Sequence, residues 1–310
     1  MSEAEQVGEQ TGVGSERPDD AEFEVPEDWV LYDVVEPHIA RITINRPERR
    51  NAILSPDMHA LFADRLDRAV DDDAIKVIIL TGAGSDFCAG DDVRRLPVER
   101  AGLERGKKLP QTARILNARR LHQSLGNWLE CPKTVIAACQ GAVMGAGLNL
   151  ALAADLLVAS DNAYFARPQA RIGFAGFSTA MPLVLLKLGI NRGYEAMITG
   201  RKVSAAEMKE WGVVSSVVPA DQLEAEALRY ARAIAHHSAD GLMIGKMALI
   251  AFWNAVGMSQ FGDWVEMAHP VFTNLVWRDD EFNFMRERDE RGGKEALAEL
   301  SRRYRDWGFE

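Results

Sequence analysis

Basic residues are in short supply: 36 Lys and Arg stand against 46 Asp and Glu, for a formal charge of −10. Nucleic acid and anionic membranes both demand a dense cationic face, so neither is expected as a main partner. Cysteine is scarcer still. Cys88, Cys131 and Cys139 lie in apolar runs, odd in number and without CxxC or Cys/His spacing. That argues against a disulfide framework and against a metal site, and predicts buried reduced thiols. No run reaches the ~18 apolar residues of a membrane span. The first 28 residues lack the hydrophobic block of a signal peptide. These absences predict a cytoplasmic setting. Two nucleotide fingerprints are also missing, GxxxxGK[ST] and GxGxxG, which weakens phosphate-loop and dinucleotide-fold readings. An acidic chain can still hold a phosphate locally. No internal repeat of fixed period is present.

What is present is ordinary for a globular chain: 47% apolar and 26% charged residues over 310 positions. Residues 1–28 are rich in Glu, Asp, Gly, Ser and Pro and cannot bury enough surface to offset chain entropy, so a disordered acidic tail is expected there. Strand patterns over Leu31–Val35 and Ala40–Asn45 flank Glu36-Pro37-His38 and predict a hairpin. Ser55-Pro56-Asp57 is a helix start, followed by apolar residues at Met58, Leu61, Phe62, Leu66 and Val70. Buried strands are expected at 76–81, 134–139 and 155–160, with helices through Leu121 and Leu129 and over 145–153. Strands alternating with helices indicate an α/β core over 29–220. Residues 221–310 read as helix only, with segments over 225–236, 241–256, 261–276 and 294–307. Their load of Trp, Phe and Met exceeds what a thin helical layer hides, which suggests packing against another subunit.

Two segments draw attention chemically. One is Phe87-Cys88-Ala89-Gly90-Asp91-Asp92-Val93, after a strand and a glycine turn; the other runs from Gln140-Gly141 through Gly145-Ala146-Gly147 to Asn149. Small residues let a ligand approach the main chain, and a helix start offers unpaired N–H groups at the positive end of its dipole. Together they can make an oxyanion hole. Close helix–sheet packing explains the second segment alone equally well.

The set of motifs taken in order resembles the enoyl-CoA hydratase/isomerase (crotonase) superfamily. It comprises Asn45-Arg46-Pro47 with Asn51-Ala52-Ile53, the 87–92 and 141–147 segments, Ala154-Asp155-Leu156, Thr199-Gly200, Ala205-Ala206-Glu207 and Trp211-Gly212-Val213-Val214. The resemblance implies an α/β spiral of ββα units over residues 29–220. It also implies a helical oligomerisation region over 221–310, giving a homotrimer or a dimer of trimers. It implies an acyl-CoA substrate, with no cofactor beyond the coenzyme A of the thioester and no metal. The thioester oxygen would lie between the N–H groups of Asp91 and Ala146. Coenzyme A would pass Ala52, Ala89 and Val93, with Arg46 and Arg50 approaching the phosphates.

The departures carry as much weight. Where hydratases of the family hold and activate water with two glutamates, this chain has Asn149 and Gln169. Neutral amides form hydrogen bonds but take up no proton near neutral pH. Hydration is therefore doubtful, and isomerisation, retro-Claisen cleavage or decarboxylation of a bulky acyl-CoA is preferred; a non-catalytic acyl-CoA binder is the alternative. Asp91 and Asp92 are the remaining candidate carboxylates, with Arg94, Arg95, Arg167, Arg171 and His122 nearby. An ionised Asp91 aimed at a developing oxyanion would be repulsive, so it points away or is protonated. Asp155 reads as structural.

Overall fold

The β-branched residues of 30–44 form the expected hairpin, β1 (Val30–Glu36) and β2 (Ile39–Ile44), antiparallel in the register Val30↔Ile44. His38 makes the turn at φ 72°, and its Nδ1 lies 2.7 Å from the carbonyl of Ala74. The computed structural model describes residues 25–53, 57–93, 125–174, 180–258, 277–305 and 307–309, with positions 115–116, 119, 260–261, 264 and 268 between them. Residues 1–24 of the expected acidic tail, the Ser55-Pro56 helix start, Arg94, Arg95, His122 and most of the 261–276 segment lie outside the described residues, while the last residues of that tail are ordered, Glu27–Trp29 forming a 3-10 turn.

From β2 the sheet grows by parallel crossovers through β3 (Val77–Gly82), β4 (Thr134–Cys139), β6 (Leu156–Ser160) and β9 (Ser216–Val218), in the order β1-β2-β3-β4-β6-β9. Central parallel strands covered on both faces read as continuous apolar runs, which is why β3 and β4 show no alternation. Helix α1 (Asp57–Asp71) covers one face with Met58, Phe62, Leu66 and Ala69. On the other face, α6 (Leu223–Ala235) packs Leu223, Ala227 and Ala231 against Ile39, Val77, Ile79, Ile136 and Val158.

A second sheet, invisible as such in the sequence, is built from β5 (Ala142–Met144), β7 (Tyr164–Ala166) and β8 (Val203–Ser204). Twice the chain leaves a strand of the large sheet and enters one of the small sheet: β4 to β5 and then α2 (Ala146–Ala153), and β6 to β7 and then α3 (Met181–Leu188). These are the ββα units of the spiral. Gly141 makes the first crossing at φ 53°, where an added Cβ would lie 2.2 Å from the carbonyl of Ser85. Two further helices follow, α4 (Ile190–Thr199) and α5 (Ala205–Glu210); Ser204 and Glu207 close a capping box on α5.

Among the described residues the C-terminal region holds α7 (Ala239–Ala255), α8 (Phe284–Arg291) and α9 (Gly293–Arg305). Helix α8 was not expected, because its charged sequence buries only Phe284 and Met285 and shows no stripe. Helix α7 buries only Lys246 and Ile250, while Met243, Ile244, Met247, Leu249 and Phe252 are exposed. Lys246 reaches inward to Asp155 at 2.5 Å, and the other carboxylate oxygen of Asp155 accepts from the N–H of Val135 at 2.8 Å. Asp155 thus ties α7 to the start of β6, a structural role. All three cysteines are free and buried. Among the described residues no helix is long and apolar enough to cross a membrane.

Candidate active site

Four short segments lie side by side. The N–H of Ala89 donates to Arg50, that of Ile53 to Gly90 and that of Asp92 to Ile53, so residues 50–53 run alongside 89–92. The N–H of Cys88 donates to Ala142 and that of Met144 to Cys88, which docks the same segment on β5; the N–H of Gly145 then donates to Ala166 at the end of β7. All of these runs end at one place, where Asp91, Ala146 and the turn over Pro168–Ile172 converge.

Glycine is required where they meet. A Cβ on Gly90 (φ 91°) would lie 2.8 Å from the carbonyl of Met144 and 3.4 Å from the nitrogen of Ala146. One on Gly147 would lie 2.4 Å from the carbonyl of Cys88. The backbone at 90–91 and the first turn of α2 therefore touch with no side chain between them. Ala146 is the first residue of α2, whose opening N–H groups have no intrahelical acceptor. The two positions singled out from the sequence, 91 and 146, are brought together.

The apposition is held by side chains of which sequence reading missed two, Asp86 and Tyr164. Asp86 accepts from the N–H of Ala142 at 2.8 Å and pairs with Arg50 through bonds of 3.0 and 2.8 Å, and Arg50 also donates to the hydroxyl of Tyr164 at 2.7 Å. Asn51, fully buried in a left-handed conformation (φ 56°), donates to the carbonyls of Ala83 and Asp86 and accepts from the N–H of Arg46. The Arg50 guanidinium beside Asp86, with help from Ala142 and Ser85, holds the Asp86 carboxyl below its ordinary value of 3.8. A carboxyl with a depressed folded pKa contributes stability above its unfolded pKa and loses it as the pH falls through the folded one. Asp86→Ala is therefore expected to lower stability by about 1–3 kcal/mol at pH 7, where it orphans a buried N–H. The gap from the parent should shrink below pH 3.8, checked by urea titrations at pH 7 and pH 3.

The remaining expected residues fall as follows. Asn149 sits one turn into α2 with its Oδ1 accepting from Nη1 of Arg167 at 2.8 Å. Gln169 lies over Gly145, where an added Cβ would be 3.4 Å from its Nε2. Ala52 is buried and Ala89 half-buried along the 50–53 and 89–92 pair. The carbonyl of Val93 accepts from Arg288 of α8 at 2.7 Å, so the C-terminal region reaches the edge of the site. The two arginines expected near phosphates differ. Arg46 is buried with its guanidinium under Trp29 (3.9 Å to the ring) and bonded to the carbonyl of Ala52, so it is withdrawn from solvent, contrary to expectation. Arg50 is half exposed, with its charge already engaged by Asp86.

Two further ionisable groups face Asp91. Burial pulls the Arg167 guanidinium down to about 10, with the Asp91 charge opposing. Burial also pulls His59 of α1 below its ordinary value, with the Asp91 charge again opposing. His59 was passed over because its neighbours Met58 and Phe62 read as a plain core stripe. Cys88 is no nucleophile: burial pushes its thiol up to about 12. A separate cavity of about 730 Å³ lies between the large sheet and α6, lined by Leu31, Arg41, Thr81, Gln140 and Leu223 among others. It includes none of the site residues, and its Arg41 is paired with Asp33 and Glu224.

The profile of the family described as enoyl-CoA hydratase/isomerase matches residues 35–273. The chain belongs to the enoyl-CoA hydratase/isomerase family. Its relatives include a mevalonyl-coenzyme A hydratase from Beauveria bassiana, 34% identical over 231 residues, covering 71% of this chain and 78% of the relative. A 1,2-epoxyphenylacetyl-CoA isomerase from Escherichia coli is 33% identical over 219 residues, covering 69% and 79%. The solved structure of an enoyl-CoA hydratase/isomerase from Xanthobacter autotrophicus Py2 superposes with a TM-score of 0.75 at 28% identity, covering 89% of this chain and 98% of that one. Both the family and the crotonase fold inferred from the ordered motifs are thus established.

Proposed function

We propose that this member of the enoyl-CoA hydratase/isomerase family is an enzyme that binds an acyl-CoA with its thioester oxygen between the N–H groups of Asp91 and Ala146. That cradle stabilises the enolate formed when a proton or an acyl substituent leaves Cα. The carrying observation is the backbone contact at Gly90, which leaves room for no Cβ beside Met144 and Ala146. Two preorganised N–H donors are worth several kcal/mol where oxyanion charge develops. Coenzyme A runs past Ala52, Ala89 and Val93, with Arg50 toward its phosphates; no further cofactor or metal is needed. The exposed apolar face of α7 packs against other copies in a homotrimer or a dimer of trimers, and the protein works in the cytoplasm.

Asn149 and Gln169 supply no carboxylate, so the chemistry preferred is isomerisation, C–C cleavage or decarboxylation rather than hydration. Among the described residues, Asp91, Asp92 and His59 are candidates to move a proton. The named relatives include both a hydratase and an isomerase, which supports thioester chemistry without choosing a reaction. The neutral amides at 149 and 169 also favour a second reading, a binder without turnover. Incubating short acyl-CoAs with the protein in D₂O and following deuterium at Cα by mass spectrometry separates the two. Exchange well above the protein-free rate is expected. Tight binding with neither exchange nor turnover on any of a panel of enoyl-, β-keto- and malonyl-type thioesters means a binder.

A further inference from the structure

We propose that the cavity of about 730 Å³ between the large sheet and α6 is a second small-molecule site, separate from the thioester site, and that it takes a compact apolar amine.

The cavity exists because α6 covers only part of its face of the sheet. With Leu223, Ala227 and Ala231 it covers Ile39 and Val77, at the starts of β2 and β3. Nearer the carboxyl ends of those strands, Thr43 and Thr81 line open space, and Leu31 of β1 is left 40% exposed beside them. Central strands of an α/β sheet are normally covered on both faces, and ligands of such sheets enter the crevice outside the carboxyl ends of the strands. The walls are preformed. Gln140 donates from Nε2 to the carbonyl of Gly82 at 2.5 Å, and its main-chain carbonyl accepts from the N–H of Phe87. Thr81 donates from Oγ1 to the carbonyl of Ala138 at 3.0 Å. The volume lies within the range of small-molecule pockets, about 300–1,000 Å³.

Charge decides the ligand class. Besides Tyr32, the ionisable residues lining the cavity are Arg41, Asp33 and Glu224, one cation against two carboxylates. Arg41 donates twice to Asp33, at 3.2 and 2.8 Å, and once to Glu224 at 2.7 Å, so its charge is already engaged. Asp161 and Asp221, next in the chain to the lining residues Asn162 and Ala220, add to the acidic surround. Both oxygens of Asp33 serve Arg41, whereas Glu224 uses only Oε1 among the described residues. With its side chain 71% exposed, Glu224 presents Oε2 to an ammonium at the rim. The interior is apolar: Leu31, Val35, Ile79, Leu223 and Leu228 offer a surface from which an apolar ring displaces loosely held water at a gain. One unit charge about 4 Å from another in water changes affinity by about 5-fold, in opposite directions for an ammonium and a carboxylate. An anion, coenzyme A included, is therefore disfavoured here.

The test titrates phenethylamine and 3-phenylpropionate into the full chain at pH 7 by ligand-observed NMR. The two probes share a ring and a two-carbon spacer and differ in charge. Phenethylamine is expected to bind with a dissociation constant below about 1 mM, at least about 10-fold more tightly than the anion. Glu224→Gln, at an exposed position, should bring the two probes within about 3-fold of each other. Thr43 lies on the same face of β2 as Ile39, so Thr43→Trp sets an indole in the cavity and should weaken phenethylamine at least about 10-fold. No binding of the amine by the parent protein, or equal binding of both probes, overturns the inference whether or not a variant folds. So does a preference that survives Glu224→Gln, or undiminished binding by a Thr43→Trp protein with a parental melting temperature.

Discussion

Ala146→Pro is expected to keep the fold and lower turnover by about 10²–10³-fold, the usual effect of deleting one oxyanion donor. The position suits the substitution. Ala146 opens α2, and proline is favoured at the first position of a helix, where its missing N–H would have had no intrahelical partner. The preceding residue, which proline restricts, is Gly145 at φ 54° and ψ −118°, and glycine has the freedom to stay there. The change therefore removes the N–H from the site and puts the Cδ methylene of the ring in its place. Ala146→Gly, which keeps the N–H, is the control and should stay within about 3-fold of the parent. The measurement is the Cα deuterium-exchange rate, with the melting temperature recorded alongside. Exchange at the parental rate in a folded Ala146→Pro protein would show that this amide does not hold the thioester oxygen.

The second large effect is on stability. Asp155→Ala removes the partner of Lys246, an ammonium whose side chain is only 5% exposed, and also orphans the N–H of Val135. Breaking one side of a buried ion pair costs about 3–5 kcal/mol, since the other charge is left desolvated. In a domain of this size that lowers the melting temperature by on the order of 10 °C. Replacing both members, Asp155→Ala with Lys246→Met, should recover most of the loss. A single variant within about 1 kcal/mol of the parent in urea would mean that Lys246 finds another partner or reaches water. Because Lys246 is the inward anchor of α7, the single variant should also loosen the helix whose exposed apolar face is proposed to meet other subunits; sedimentation would report any fall in oligomer mass.

The sequence was most readable where local chemistry and the tertiary answer agree. The hairpin at 30–44, the apolar strands β3, β4 and β6, and the stripe of α1 all follow from side-chain period and turn residues, and each stands within a residue or two of its expected bounds. The short strands of the second sheet were harder. A three-residue strand has no period to read, and β5 and β7 exist only because each pairs with the other. Helix α8 was missed for a related reason: two buried residues make no stripe. Positions 91 and 146 were pointed to by the family resemblance, and the glycines beside them mark where the main chain comes close. Asp86 could not be found, because an aspartate after a strand looks like any turn residue until the N–H of Ala142 arrives from 56 positions away. Arg46 went wrong for the converse reason: a cation beside a proline reads as exposed, and only the fold lays Trp29 over it.

The family, the α/β class and the absence of glutamates at 149 and 169 belong to the chain itself, since they depend on residue types in a given order. Tertiary structure alone decided which charges meet. Asp91 faces Arg167 and His59, Asp86 takes up Arg50, and Lys246 is neutralised by Asp155, because folding fixes the distances and the burial that set the strength of an electrostatic interaction.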